Sequence, residues 1–311
     1  MSELILHHYP ASPFAEKGRL MLGFKQLEWR SVHIPRIMPK PDLMALTGGY
    51  RKTPVLQHGA DIYCDTALIA RHLERVKPTP TLFPRGHELT VASFAAWADS
   101  VVFMNAVTLM FQPEVVAARF AKAPPEHLKA FTADRAALFS GGTASRMSVE
   151  QGRSQWPVLM ARLEAQLAHR PGSFLFGEPS IADLALAHSL WFLRDTPLTA
   201  PFVNTWPGVS AWLERVLAFG HGTPRESNAE EAIAIAREAT PAPLPDERYE
   251  DPNGLRPGQK VSIAAVDYGV DPVEGELLFA GAEELILRRE DPRAGVVHVH
   301  FPRLGFRVDA R

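Results

Sequence analysis

Ser12, Tyr9, Asp65 and Thr66 are the side chains whose types and positions suit chemistry on a bound ligand. Ser12-Pro13-Phe14-Ala15 follows an apolar run, Leu4-Ile5-Leu6, and precedes Leu20, Met21, Leu22 and Phe24 at helical spacing. Ser12 therefore falls at a helix N-cap, with Pro13 at the first helical position. A hydroxyl at such a junction either caps the helix or donates a hydrogen bond to a ligand; taken alone, the stretch reads as a cap. Asp65-Thr66 opens a second helix that runs to about Arg75 and presents the same pair of alternatives. His298 and His300 share one strand face as a candidate metal pair, but no third ligand stands at a metal-binding spacing, so no metal is expected. His7 and His8 point to opposite faces of their strand. Cys64, the single cysteine, reads as a small buried hydrophobe. Gly141-Gly142 lacks the Gly-Lys-Ser/Thr ending of a phosphate loop and reads as a breaker.

The elements that position these residues alternate in kind. Leu4-Leu6 is a strand, the Ser12 helix follows, and Trp29, Val32 and Ile34 form a second strand. Pro35 to Pro41 makes a connection with at most short helical structure, and Thr47-Gly48-Gly49-Tyr50 a turn. Thr53-Pro54-Val55-Leu56 begins a third strand, Gly59-Ala60 turns it, Asp61-Ile62-Tyr63 returns, and the Asp65 helix closes the unit before the proline-rich Lys77–Thr81 segment. From Glu88 to about Gly220 apolar residues recur at helical spacing, with breaks at Pro124-Pro125 and Gly141-Gly142. Ser180 and Asp183 form a capping box ahead of an apolar helix, a folding feature and not a chemical one. Residues 226 to 239 read as one more helix.

This order resembles that of the glutathione transferases over roughly residues 3 to 220. Ala11-Ser12-Pro13-Phe14-Ala15 looks like the serine-bearing turn of the tau class and is close to the cysteine-bearing turn of the omega class. Lys52-Thr53-Pro54-Val55-Leu56 resembles the cis-proline loop, Asp65-Thr66 stands where the family has an acidic residue followed by serine, and Phe174-Leu175-Phe176-Gly177 with Ser180-Ile181-Ala182-Asp183 is similar to the signature of the helical domain. The resemblance implies glutathione as co-substrate, its thiolate attacking a hydrophobic electrophile. It implies Ser12 as thiolate donor with Tyr9 as rival hydroxyl, backbone pairing to the cysteinyl part at Val55 within Lys52-Thr53-Pro54-Val55, and the γ-glutamyl end at Asp65 and Thr66. Arg51, Lys52 and Lys40 are candidates for the glycyl carboxylate, although basic residues before a strand are more often solvated. Phe14, Phe103 and Phe111 are candidates for the electrophile pocket or for core. A homodimer is implied as well. Two alternatives stand beside the transferase: a non-catalytic interaction protein on the same fold, and a glutathione-dependent thiol-disulfide reductase, which serine at position 12 disfavours because it offers no thiol for a mixed disulfide.

Composition bounds these readings. With 33 basic and 35 acidic residues among 311, the chain has no global field for nucleic acid or an anionic membrane. No apolar run is expected to approach the roughly 20 residues that span a bilayer. The amino-terminal residues lack a basic region before an apolar one, and together with the lone cysteine this suggests a reducing cytoplasmic location.

After the proline-rich Thr240–Pro245 linker the pattern changes. Short runs at Lys260–Val266, Glu276–Phe279, Glu284–Arg288, Val296–Phe301 and Phe306–Val308 suggest strands. The expected architecture is a thioredoxin-like α/β domain (1–80), an all-helical domain (85–239) and a small all-β, barrel-like module (254–311) with an unidentified partner. That module is expected to be dispensable for folding of the rest. Its Arg288, Arg289, Arg293 and Arg303, interspersed with Glu283, Glu284, Glu290 and Asp291, are expected to form a solvated surface.

Overall fold

The computed structural model describes residues 3–144, 147–169, 172–247 and 251–311. Met1 and Ser2, part of the stretch read against a leader, lie outside the described residues.

The strand β1 (Leu4–His8) leads through Ser12 into helix α1 (Pro13–Phe24), and Ser12 Oγ accepts the Ala15 N–H at 3.2 Å. β2 (Glu28–His33), α2 (Pro41–Thr47), β3 (Val55–His58), β4 (Asp61–Cys64) and α3 (Thr66–Val76) complete a thioredoxin-like unit. β1 pairs parallel with β2 and antiparallel with β3, which pairs antiparallel with β4. Successive residues alternate between faces: Leu56 and Tyr63 join one core, Val55, Ile62 and Cys64 the other.

The helical part comprises α4 (Glu88–Trp97), a π-helical turn at Ala98–Val102, α5 (Phe103–Met110), α6 (Pro113–Phe120), α7 (Pro125–Leu138), α8 (Val149–Ala168), α9 (Ile181–Arg194), α10 (Pro201–Asn204) and α11 (Pro207–Leu217). α9 is central and buried along nearly its whole length. Its start is fixed by Asp183, whose carboxylate accepts the N–H groups of Ser180 (3.0 Å), Leu175 (2.9 Å) and the Trp212 indole (3.0 Å). This is the structural role expected of the capping box. Leu4, Leu6, Leu20 and Leu22 share one core with Leu184, Leu190 and Trp212, so α1 and the sheet lean directly on the helices.

Glu88 to Met110 is continuous helix over 23 residues, long and apolar enough by composition to cross a bilayer. The expectation that no such run exists is corrected. The helix packs on α8 and α9 and carries Asp99 in the middle, bonded to Lys17 and His188, which is the arrangement of a core helix.

Beyond α11 the chain returns to the sheet. β5 (Thr223–Ser227) pairs parallel with β2, and α12 (Ala229–Glu238), capped by Asn228, packs against α2, β2 and a tail strand. The helix at 226–239 is therefore present but does not belong to the helical layer. Ile233 and Ala236 bury with Ile34, Leu43 and Val55 on the opposite face of the sheet.

The tail contributes β6 (Lys260–Ala265), β7 (Val273–Ala280), β8 (Glu284–Asp291), β9 (Gly295–Pro302) and β10 (Phe306–Ala310). The strand module appears where two-residue periodicity predicts it, but its ladder order is linear. β9 pairs parallel with β4, giving one 10-stranded sheet in the order β10-β6-β7-β8-β9-β4-β3-β1-β2-β5. The small β module is thus present and is continuous with the first sheet through β9. The physical reason lies in β4, which β9 keeps from being an open edge: Ile62 stands opposite Val299 and shares one core with Val297, Val299 and Phe301. Of the charged residues expected to form a solvated surface, Glu283, Glu290 and Arg293 are exposed, with Arg293 paired to Asp42 at 2.6 Å and Glu283 to Arg71 at 3.3 Å; Glu284 is the exception, buried and 3.4 Å from Arg75.

Candidate active site

Two cavities open between the sheet and the helices, and they share Phe14, Lys52, Thr53 and Tyr268. The first, with about 990 Å³ of empty space counted to its open mouth, is lined by Ser12 and Tyr9 together with Phe14, Phe103 and Phe111. The second, about 1740 Å³ on the same measure, is lined by Thr53, Pro54, Asp65 and Thr66. The candidate residues are thus brought to one divided cleft.

Ser12 is buried and its Oγ is engaged only as an acceptor, from Ala15; its O–H donates to no group among the described residues. Capping and donation are therefore compatible, since one uses a lone pair and the other the proton. The hydroxyl stands beside the positive end of α1, where a developing anion is favoured. Tyr9 lines the same cavity with Arg36 and Lys40 each 6.0 Å from its ring centroid.

The Thr53–Pro54 peptide is cis, as the resemblance implies. Val55 is fully buried in β3, in register with His7 and Cys64, and lines neither cavity, whereas Thr53, before the cis proline, lines both. Lys40 donates to Thr53 Oγ1 at 3.0 Å and to the Arg51 carbonyl at 3.1 Å. Burial, with Arg135 nearby, pushes the Lys40 ammonium down to about 8.

Asp65 has φ 75°, a region that costs a non-glycine residue about 1–3 kcal/mol. Its side chain accepts the Ala67 N–H at 2.9 Å, leaving the α3 N-terminus and the Thr66 hydroxyl directed at the second cavity. Burial raises the Asp65 carboxyl against the pull of Lys52. Beneath it lies a network that sequence spacing does not reveal. The buried Lys17 donates to Thr66 Oγ1 at 3.3 Å and to Asp99 Oδ2 at 2.5 Å, and Asp99 Oδ1 meets His188 Nε2 at 2.9 Å. Against the cost of burial, Lys17 and His188 hold the Asp99 carboxyl below its ordinary range. Lys17 is at helical spacing from Phe14 and reads as a surface residue until α3 and the π turn are folded onto it.

The tail also enters the cleft. Lys52 is not solvated; its Nζ lies 2.6 Å from Asp267 Oδ1 and 4.2 Å from the Tyr268 ring centroid. Arg51 is likewise tied down, at 2.9 Å from Asp134. The loop carrying Asp267 and Tyr268 is stitched to the end of α7 and beyond: Gly269 N–H reaches the Leu138 carbonyl at 2.7 Å, Thr143 N–H the Val266 carbonyl at 2.9 Å, and Ala144 N–H the Asp267 carbonyl at 3.0 Å. A Cβ on Gly142 would stand 1.6 Å from the Asp267 carbonyl oxygen, so glycine there permits the contact and is more than a breaker. Tyr268 divides the two cavities, and burial together with Asp267 and Asp65 keeps its hydroxyl protonated.

The family model of the glutathione S-transferase N-terminal domain matches residues 6–81, and that of the C-terminal domain matches residues 146–215. A GST-like protein from Pseudomonas syringae is 61% identical over 100% of both chains, with a TM-score of 0.85. This chain belongs to the glutathione S-transferase family. More distant solved structures share the fold alone. Glutathione S-transferase III in its apo form is 23% identical over 78% of this chain and 100% of its own (TM-score 0.51), and a tau-class glutathione S-transferase from mango, Mangifera indica, is 18% identical over 70% and 89% (TM-score 0.51). No curated protein is significantly similar. The tail at the cleft lies beyond the family models, which end at residue 215, so Asp267 and Tyr268 are outside them.

If a bound carboxylate competes for Lys52, the Asp267 contact opposes it. The pair is partly exposed and worth about 0.2–1 kcal/mol. Asp267→Asn is therefore expected to tighten glutathione binding by up to about fivefold in titration calorimetry. Unchanged or weaker binding would show that Lys52 is not recruited.

Proposed function

We propose that this chain conjugates glutathione to an apolar electrophile, with Ser12 as the hydrogen-bond donor to the thiolate and Tyr9 as an accessory hydroxyl of the same cavity. The supporting observation is the buried Ser12 hydroxyl, its proton unspent, at the helix end lining an aromatic cavity that adjoins a second one lined by Thr53, Asp65 and Thr66. In this scheme Thr53 pairs with the cysteinyl backbone and Asp65 with Thr66 binds the γ-glutamyl end. Lys52 and Lys40 meet the glycyl carboxylate. Phe14, Phe103 and Phe111 contact the electrophile, and Arg36, Arg119 and Arg135 around the same cavity favour one that carries an acidic group.

Thiol-disulfide reduction is disfavoured by position. The only cysteine, Cys64, is fully buried in β4, and burial raises its thiol well above the ordinary value. A homodimer belongs to the same proposal, and the exposed Trp97 and Val101 supply an apolar face for it.

Retention on immobilised glutathione and conjugation of a chloronitrobenzene, faster for a ring bearing a carboxylate, test the proposal. Asp65→Ala with Thr66→Ala should weaken glutathione binding at least tenfold, since a hydrogen bond to a charged group contributes about 1.5–3 kcal/mol. A folded protein with neither retention nor turnover would favour a non-catalytic interaction role on the same fold.

A further inference from the structure

The seam between β4 and β9 gathers more metal-ligating groups than an ordinary strand pair. Register sets Asp61 opposite His298 and Tyr63 opposite His300, and period-two alternation turns His298 and His300 to the same side as Asp61. One donor atom from each of Asp61, His298 and His300 lies within 4.8 Å of the others. Asp61 Oδ1 is 2.9 Å from His300 Nε2 and 3.8 Å from His298 Nδ1. Tetrahedral coordination at zinc bond lengths of about 2.0–2.1 Å sets ligand atoms roughly 3.3 Å apart, so these separations bracket the requirement. The third ligand missing from the sequence pattern is thus supplied by a strand far away in the chain.

The surroundings are those of a built site. His300 Nδ1 is 2.7 Å from Glu284 Oε1, the carboxylate–histidine arrangement that fixes a ligating ring and leaves Nε2 for the ion. Tyr63 stacks on the His300 ring at 4.3 Å between centroids and holds its plane. Asp61 Oδ2 accepts the Ala242 N–H at 2.8 Å, so Oδ1 is the oxygen left for a cation. His298 Nδ1 is buried without a hydrogen-bond partner although it lies 3.8 Å from Asp61 Oδ1. The Asp61–His300–Glu284 chain is satisfied without an ion; His298 is not. A cation between the three would satisfy it.

We propose that Asp61, His298 and His300 bind one Zn²⁺-class divalent cation that clasps the tail to the edge of the thioredoxin-like sheet. The two imidazoles and one carboxylate suit zinc over magnesium or calcium, which prefer all-oxygen shells, and a water completes the fourth position. None of the three residues lines either cavity of the cleft, so the ion acts on architecture and not on glutathione.

Zinc chloride titrated into the chelator-stripped full-length protein, against a chromogenic zinc chelator, tests this directly. One zinc per chain is expected, with a rise in melting temperature when zinc exceeds its dissociation constant. His298→Ala should weaken zinc at least tenfold while leaving the metal-free melting temperature nearly unchanged, because it keeps the backbone bond to the Ala60 carbonyl and removes a ring whose Nδ1 has no partner. Glu284→Gln should weaken it about 10–100-fold through the orientation of His300. Absence of saturable uptake by the wild-type chain, or equal zinc affinity in His298→Ala, overturns the proposal.

Discussion

Ser12→Ala should lower glutathione conjugation near neutral pH by about ten- to a hundredfold while leaving glutathione affinity within a few-fold. A free thiol titrates near 8.5 and is mostly protonated at pH 7. A hydrogen bond to its anion contributes about 1.5–3 kcal/mol and the helix end about 0.3–1 kcal/mol, and one pKa unit is about 1.36 kcal/mol. The substitution removes the hydrogen bond and leaves the helix end, so the bound thiol rises by about one to two units, which sets the expected loss in rate. Activity should recover partly as pH rises toward the free thiol's own range, because hydroxide then does what the hydrogen bond did. The substitution also removes the cap on Ala15, about 0.5–2 kcal/mol of stability, so melting temperature must be followed beside rate. The decisive comparison is with Tyr9→Phe, the other hydroxyl of this cavity. If that variant loses the activity and Ser12→Ala keeps it, the donor has been misassigned.

What could be read from sequence follows from which signals are local. The Ser12 cap, the Thr53–Pro54 loop and the Asp65 helix start rest on residue types within a few positions of one another, and each is found where expected. The strands of the tail were legible for the same reason, from period-two alternation. β5 was not, because Thr223–Ser227 is an edge strand with nearly every side chain in solvent, so no apolar residue marks it. Around the Thr53–Pro54 loop, Val55 is already inside the strand and buried, while Thr53, before the cis proline, stands at the cavity. Lys17, Asp99, His188, Asp267 and Tyr268 come together only through the packing of α1, the π turn, α9 and the β6–β7 loop. No pairwise spacing in sequence encodes that meeting. The tail illustrates the difference between existence and placement, since its strands were predictable while their partner, β4, was not.

That partner decides the fate of a shortened chain. The proline-rich linker invites the expectation that a protein ending near Ala239 stays folded, but the core argues for the opposite result. Val261, Ile263, Leu277, Leu285, Leu287, Val299 and Phe301 are buried against Ile34, Leu43, Tyr50, Ile62 and Ile233. Removing the tail returns Leu43, Tyr50, Ile62 and Ile233 to water, and full exposure forfeits about 1.5–3 kcal/mol for each such side chain. Their sum is comparable with the roughly 5–15 kcal/mol that stabilises a whole domain. The truncation also strips the ladder from β4, leaving an apolar edge open to pairing with other chains, and leaves the buried Asp61 without His300. Lys52 and the first cavity lose Asp267 and Tyr268 at the same stroke, so whatever folded material remains should bind glutathione differently. The expected outcome is a chain that aggregates, or that melts at least 10 °C lower and less cooperatively than the full-length protein, since about 1 kcal/mol shifts the melting temperature of a 150–250-residue protein by about 2–4 °C. Calorimetric or circular-dichroism melts of the two chains side by side supply the check. An unshifted, cooperative transition in the truncated chain would mean that the sheet from β5 to β4 is self-sufficient and that the shared core is packing without consequence for stability.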